Sequence, residues 1–219
     1  MLPALPSRTT AALDELIVKV LASSAALGKG LHPLIVDAVA RLMLKVNSYY
    51  TNAMEGNPSK LRDIDAALNS MLAKDKTARD YQLEHLAHIQ VQEEMVGRLR
   101  AEPDLRVCSR EFLIWLHERF FLKLPEDMRF AKTVSGALVP VEPGRLSERG
   151  VTVGMHEGPA TRQDIEGHLA KFDELLSPER FPGPQKLLGW ASSHHRFLWI
   201  HPFPEGRSEE RRVGKECRL

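Results

Sequence analysis

Apolar residues recur at helical spacing along most of this chain, and Gly or Pro closes almost every run, which argues for a mostly helical fold before any other feature is read. Leu13, Leu16, Ile17, Val20 and Leu21 form the first run. Pro33 opens a second with Leu34, Ala38, Leu42, Val46 and Tyr49 on one face. After the Gly56-Asn57-Pro58 break the spacing predicts a third, short helix over 60–72. A fourth carries Leu83, Leu86, Ile89, Val96 and Leu99 before Pro103 stops it. Together these predict a helical bundle in the first half. Ser109 is placed to cap a fifth helix with Phe112, Leu113, Leu116 and Phe120, ending near Pro125. From 130 to 159 Gly, Pro and β-branched residues take over, and Val151-Thr-Val-Gly alternates as a short strand or hairpin would. Thr161-x-x-Asp164 reads as a capping box with Asp in place of Glu, ahead of Ile165, Leu169, Phe172 and Leu176, and a last helix is predicted over 184–200.

The 219 residues are enough for one sizeable domain with a hydrophobic core, so a disulfide-stapled miniprotein is excluded. Hydrophobic residues at 43% and charged residues at 27% are ordinary for a globular protein, not a disordered one. Lys+Arg 30 against Asp+Glu 29 leaves a net charge of +1, with no global pull toward nucleic acid or an acidic membrane face, so neither is expected as a partner. Cys108 and Cys217 share no pairing or zinc-like spacing, and Asp14, Glu15 and Lys19 interrupt the first apolar stretch. The expectation is a cytoplasmic protein.

The stretch with most chemistry in it is Phe197-Leu-Trp-Ile-His201-Pro-Phe203-Pro-Glu205-Gly206. A neutral imidazole, with a reference pKa of about 6.5, is suited to take the proton of a hydroxyl at neutral pH. A carboxylate offers hard oxygen to Mg²⁺, and a glycine lets backbone N–H groups approach phosphate. These ten residues resemble the Fic family motif His-x-Phe-x-Asp/Glu-Gly-Asn-Gly-Arg-x-x-Arg, matching it at six consecutive positions from His201 to Gly206. Trp190-Ala-Ser-Ser-His194-His195-Arg-Phe-Leu resembles the helix leading into it. Val151, Thr152, Val153, Gly154 and Met155, within Arg149-Gly-Val-Thr-Val-Gly-Met-His156, resemble the family's target-docking flap. The likeness runs over roughly residues 30–206.

The resemblance implies a Fic-type helical core with a small β-hairpin flap and an N-terminal helical extension. It further implies a protein adenylyltransferase that moves AMP from Mg·ATP to a Ser, Thr or Tyr hydroxyl of a target protein. His201 would be the base, Glu205 the metal ligand, Gly206 part of the nucleotide cradle and Phe203 the buried anchor. Thr51-Asn-Ala-Met-Glu55-Gly56-Asn57 resembles the family's inhibitory helix, which implies that Glu55, with Thr51 and Gly56, competes with the γ-phosphate for an arginine. The plain alternative is helix-end polar chemistry, with Gly56 as the stop. Other rival readings are a plain surface hairpin at 151–155, AMP removal with Glu55 positioning water, and a non-catalytic helical binding module. A homodimer is left open.

Two histidine pairs invite a metal reading. His194 and His195 have no cysteine nearby and read as one packed and one exposed ring. Glu84-His85-x-x-His88 lacks the His-Glu-x-x-His order and reads as a polar helix face.

The match stops after Gly206. Arg207 and Ser208 stand where Asn and Gly are expected, and Glu209 stands where a phosphate-binding Arg belongs. A carboxylate there repels phosphate by about 4 kcal/mol at 4 Å and an effective dielectric of 20. The run 207–219 resembles a translated sequencing adapter more than evolved protein. The expected organisation is therefore a helical region with the inhibitory motif at 1–102, an incomplete Fic core at 103–206 and an artefactual tail at 207–219, with this exact polypeptide inactive.

Overall fold

The fold is taken from a computed structural model that describes residues 10–132, 137–150 and 158–204. Among these, seven α-helices follow one another: α1 (Ala11–Gly28), α2 (Pro33–Met54), α3 (Leu61–Leu68), α4 (Lys76–Ala101), α5 (Arg110–Lys123), α6 (Arg162–Leu176) and α7 (Lys186–Ile200). Strands β1 (Phe130–Lys132) and β2 (Leu138–Pro140) pair antiparallel, Ala131 opposite Val139, between α5 and α6. This sheet lies upstream of the 151–155 segment read as the flap, which falls outside the described residues.

The helix starts follow the local chemistry that the sequence predicts. Ser109 Oγ accepts the Phe112 N–H at 3.2 Å at the head of α5. At α6, Thr161 Oγ1 accepts the Asp164 N–H and the Asp164 carboxylate accepts the Thr161 N–H, closing the capping box. The ends differ more. α3 stops at Leu68, because Asn69 takes backbone and side-chain bonds back to Asp65 and Ser70 turns to a positive φ of 61°. α7 starts at Lys186, since a short 3₁₀ turn occupies Gly183–Gln185.

Helix α4 is the hinge of the packing. It meets α2 and α3 on one side and α5 on the other, so its buried residues Gln82, His85, Ala87, Ile89 and Val91 do not form a single stripe. The Glu94 carboxylate joins α4 to α5, accepting from Arg119 at 2.7 and 3.1 Å with Lys123 at 2.7 Å. Those cations, Arg119 first, hold its pKa well below the carboxylate range, at about 2. Beyond α5, the core gathers Leu113, Leu146, Ile165, Leu169, Phe172, Leu176, Ile200 and Phe203.

The expected four-helix bundle of the first half is only partly formed. α1 buries Ile17 and packs on the 183–185 turn, and the first half of α2 stays exposed, with Leu34 at 72% and Leu42 at 49%. Periodicity marks the apolar face of a helix but not which neighbour covers it.

Gly189 lies inside α7, where replacing Gly by Ala ordinarily favours a helix by about 1 kcal/mol. A Cβ there would sit 2.5 Å from the Phe181 ring. Gly189→Ala is therefore expected to destabilise the protein by about 1–3 kcal/mol in urea unfolding, whereas a raised midpoint would mean that Phe181 moves aside freely.

Candidate functional site

Helix α7 carries the motif histidine to its C-terminal end. His201 is the C-cap, its N–H bonded to the Phe197 carbonyl at 3.0 Å, with φ 44° and ψ 64°. This left-handed region is one that non-glycine residues seldom occupy, and it costs roughly 1–2 kcal/mol. Pro202, which cannot continue the helix, leads the chain inward. The Phe203 ring enters the core, 7% exposed, stacked 4.2 Å from the His117 ring at an interplanar angle of 8°. The Pro202 carbonyl accepts the Ser147 N–H at 2.8 Å. His201 itself is 5% exposed, so a hydroxyl group cannot reach the ring until it is uncovered. Glu205 and Gly206 lie outside the described residues.

The Thr51–Asn57 segment closes α2. Glu55 is the C-cap, Gly56 at φ 85° donates to the Ala53 carbonyl and Asn57 to the Asn52 carbonyl, a Schellman ending. The ordinary cap chemistry is thus present at the same residues that resemble the inhibitory motif. Asn57 also reaches α4, its amide 3.3 Å from Glu84 Oε2. Among the described site residues, Thr51, Glu55 and Gly56 belong to the α2–α4 side and His201 and Phe203 to the α5–α7 core.

The histidine pairs differ from expectation. His194 and His195 are both exposed on α7, so neither ring is packed. The 84–88 segment is not a solvated face. His85 is 1% exposed, with Ser48 Oγ 2.9 Å from its Nδ1, and the Asn52 amide lies 3.4 Å from Nδ1 of both His85 and His88 while donating to the Ser48 carbonyl at 2.9 Å. One amide N–H goes to the Ser48 carbonyl and leaves one for the two ring nitrogens, while burial lowers the pKa of both His85 and His88 and so favours their neutral forms. The helical spacing of Ser48 and Asn52 opposite His85 and His88 was the available signal, but only pairing of α2 with α4 turns it into a contact. Among the described residues no group of three or more His, Cys, Asp or Glu is placed to hold a metal ion. No described helix is long and apolar enough to cross a membrane.

The chain is similar to a Fic family protein from Desulfovibrio desulfuricans G20 of known crystal structure, with a TM-score of 0.62 and 18% identity over 95% of this chain and 57% of that one. In sequence it is 22% identical over 165 residues to a Drosophila mojavensis protein described as "Protein adenylyltransferase Fic", covering 75% of this chain and 29% of that protein. No protein-family model matches. The fold is of the Fic type, and the chain spans less than a third of the Drosophila relative and just over half of the Desulfovibrio chain.

Burial pushes the His85 pKa down to about 4, helped by His88 and opposed by Asp63. An unfolded imidazole titrates near 6.5, so the unfolded chain binds more protons between those values. Stability from this group is complete above about pH 6.5 and is lost as pH falls toward 4. At pH 5 the loss from His85 is about 2 kcal/mol. Urea unfolding of His85→Gln, which removes the titration, is expected to show a smaller drop between pH 7 and 5 than the parent; equal drops would assign the effect elsewhere.

Proposed function

We propose that the chain carries the machinery of a protein adenylyltransferase, with ATP as the AMP donor and a target-protein hydroxyl as the acceptor. The observation that supports it most is His201 at the left-handed end of α7, held by the buried Phe203 on a Fic-type fold. In this reading His201 takes the proton from the target hydroxyl as its oxygen attacks the α-phosphorus and pyrophosphate leaves. Phe203 keeps the ring at a set height above the core. Residues 151–155 align the target segment by backbone pairing, which tolerates many side chains. Magnesium, when bound, neutralises phosphate charge, and the hard oxygen of Glu205 fits that ion. Positions 207–209 do not fit the triphosphate: Glu209 opposes it, and the Asn-Gly turn is missing. With His201 covered as well, the 219-residue chain is read as inactive, and 207–219 as foreign to the natural protein.

Glu55 is proposed as an off-switch at the end of α2, reached by competition for the arginine that holds the γ-phosphate. The clearest test restores the missing residues with Arg207→Asn, Ser208→Gly and Glu209→Arg, leaving Arg212 in the second arginine position. Calorimetric titration with Mg·ATP is expected to show binding by the restored chain and none by the parent. A flat titration for both favours the binding-module reading. In the restored chain Glu55→Gly is expected to raise auto-modification by about tenfold or more, and His201→Ala to abolish it with nucleotide binding retained. If instead the restored chain releases AMP from a pre-modified target and Glu55→Gly stops that release, the reaction is removal.

A further inference from the structure

Residues 141–150 run as a strap from β2 toward the 151–155 segment and grip the body of the protein at successive points. Val141 donates its N–H to the Arg129 carbonyl at 2.8 Å, Gly144 to His117 Nδ1 at 2.9 Å and Ser147 to the Pro202 carbonyl at 2.8 Å. Leu146 is buried between the last two in the same core as Phe203. Gly144 has φ 78°, and a Cβ there would meet Glu118 Cβ at 3.2 Å, so the strap backbone lies directly on α5 beside His117.

His117 therefore touches both the strap and the motif loop. Its Nδ1 accepts from the strap, and its ring face lies on Phe203, two residues after His201. Burial lowers its pKa to about 4, so at neutral pH the ring is uncharged and Nδ1 is free of a proton, as an acceptor must be. The proton then sits on Nε2, a buried atom without a hydrogen-bond partner among the described residues. Phenylalanine would pack against Phe203 and Phe121 without that unmet N–H, so packing alone does not account for an imidazole here.

We infer that His117 is a positioning residue which locks the 141–150 strap to the motif loop, so that the segment entering the flap and the loop carrying His201 keep one register. This rests on the transferase reading for its catalytic consequence, though not for the linkage itself. In that reading the strap anchors the segment that aligns the target and His201 receives the target's proton, and an ångström of slack between them would weaken transfer without altering the nucleotide site.

Two substitutions separate the links. His117→Phe keeps a stacked ring and removes the acceptor, whereas His117→Asn keeps an oxygen near the Nδ1 position and removes the ring. In the 219-residue protein at neutral pH, hydrogen exchange followed by NMR is expected to show the Gly144 amide exchanging about tenfold faster in His117→Phe and within about twofold of the parent in His117→Asn. The amides of Leu169 and Phe172 in α6 report general loosening and are expected to hold their rates in His117→Phe. Unchanged Gly144 exchange in His117→Phe, or equal acceleration at all three amides, overturns the linkage. In the restored chain both variants are expected to lower kcat for auto-modification about fivefold or more with the KM for Mg·ATP unaltered. A rise in that KM with kcat unaltered overturns the positioning role. Transfer absent from the restored chain and its His117 variants alike, with the Gly144 pattern as expected, overturns the transferase reading and upholds the linkage.

Discussion

The Phe203 ring has to be buried for His201 to have a defined place. His201 sits at the end of a helix, where backbone groups are unsatisfied and the chain would otherwise fray. Two residues later the ring enters a core made by Leu113, Leu146, Ile165, Leu169, Phe172, Leu176 and Ile200, and an interior packed at crystal-like density leaves it little freedom. The left-handed conformation at His201 follows from this. The chain must turn sharply to bring Phe203 inward, and Pro202 prevents it from doing so by continuing the helix. The strained residue is also the one proposed as the base, and packing around Phe203 offsets the strain.

The molecule divides its work across α4. On one side, α2 holds the segment that resembles an inhibitory helix against α4, through Ser48, Asn52 and Asn57 against His85, His88 and Glu84. On the other, α5, α6 and α7 build the core beneath the motif. The Glu94 carboxylate between Arg119 and Lys123 spans the α4–α5 contact that joins them. The α2–α4 contact is polar and partly buried, so its strength depends on both imidazoles staying neutral, whereas the core depends on apolar area. The apolar core also holds a buried neutral histidine, His117, whose Nδ1 accepts from Gly144, so acid bears on both sides.

Much of the helical layout was legible in the residues. Ser109 and Thr161 cap where they were expected to, because a cap is a contact over three residues and needs no distant partner. The six motif positions were legible for the same reason, being consecutive. The buried state of His85 was not, since a histidine on a charged helix looks solvated until Ser48 and Asn52 of another helix face it. His117 was hidden likewise. It shares a helical face with Leu113 and Phe121, where an imidazole passes for a core ring until Gly144 and Phe203 arrive from 27 residues or more downstream.

What the residues alone determined about this protein is local: where helices start, where Gly56 and Pro202 end them, and the six-residue run from His201 to Gly206 with a carboxylate out of place at Glu209. Those depend on interactions within a few positions along the chain. Tertiary structure alone decided that α1 and the first half of α2 keep an exposed apolar surface, that His201 is covered, and that a strap from one part of the chain and a ring from another converge on His117. Such outcomes depend on which surfaces meet, and contacts between residues far apart in sequence leave no periodic trace in either partner.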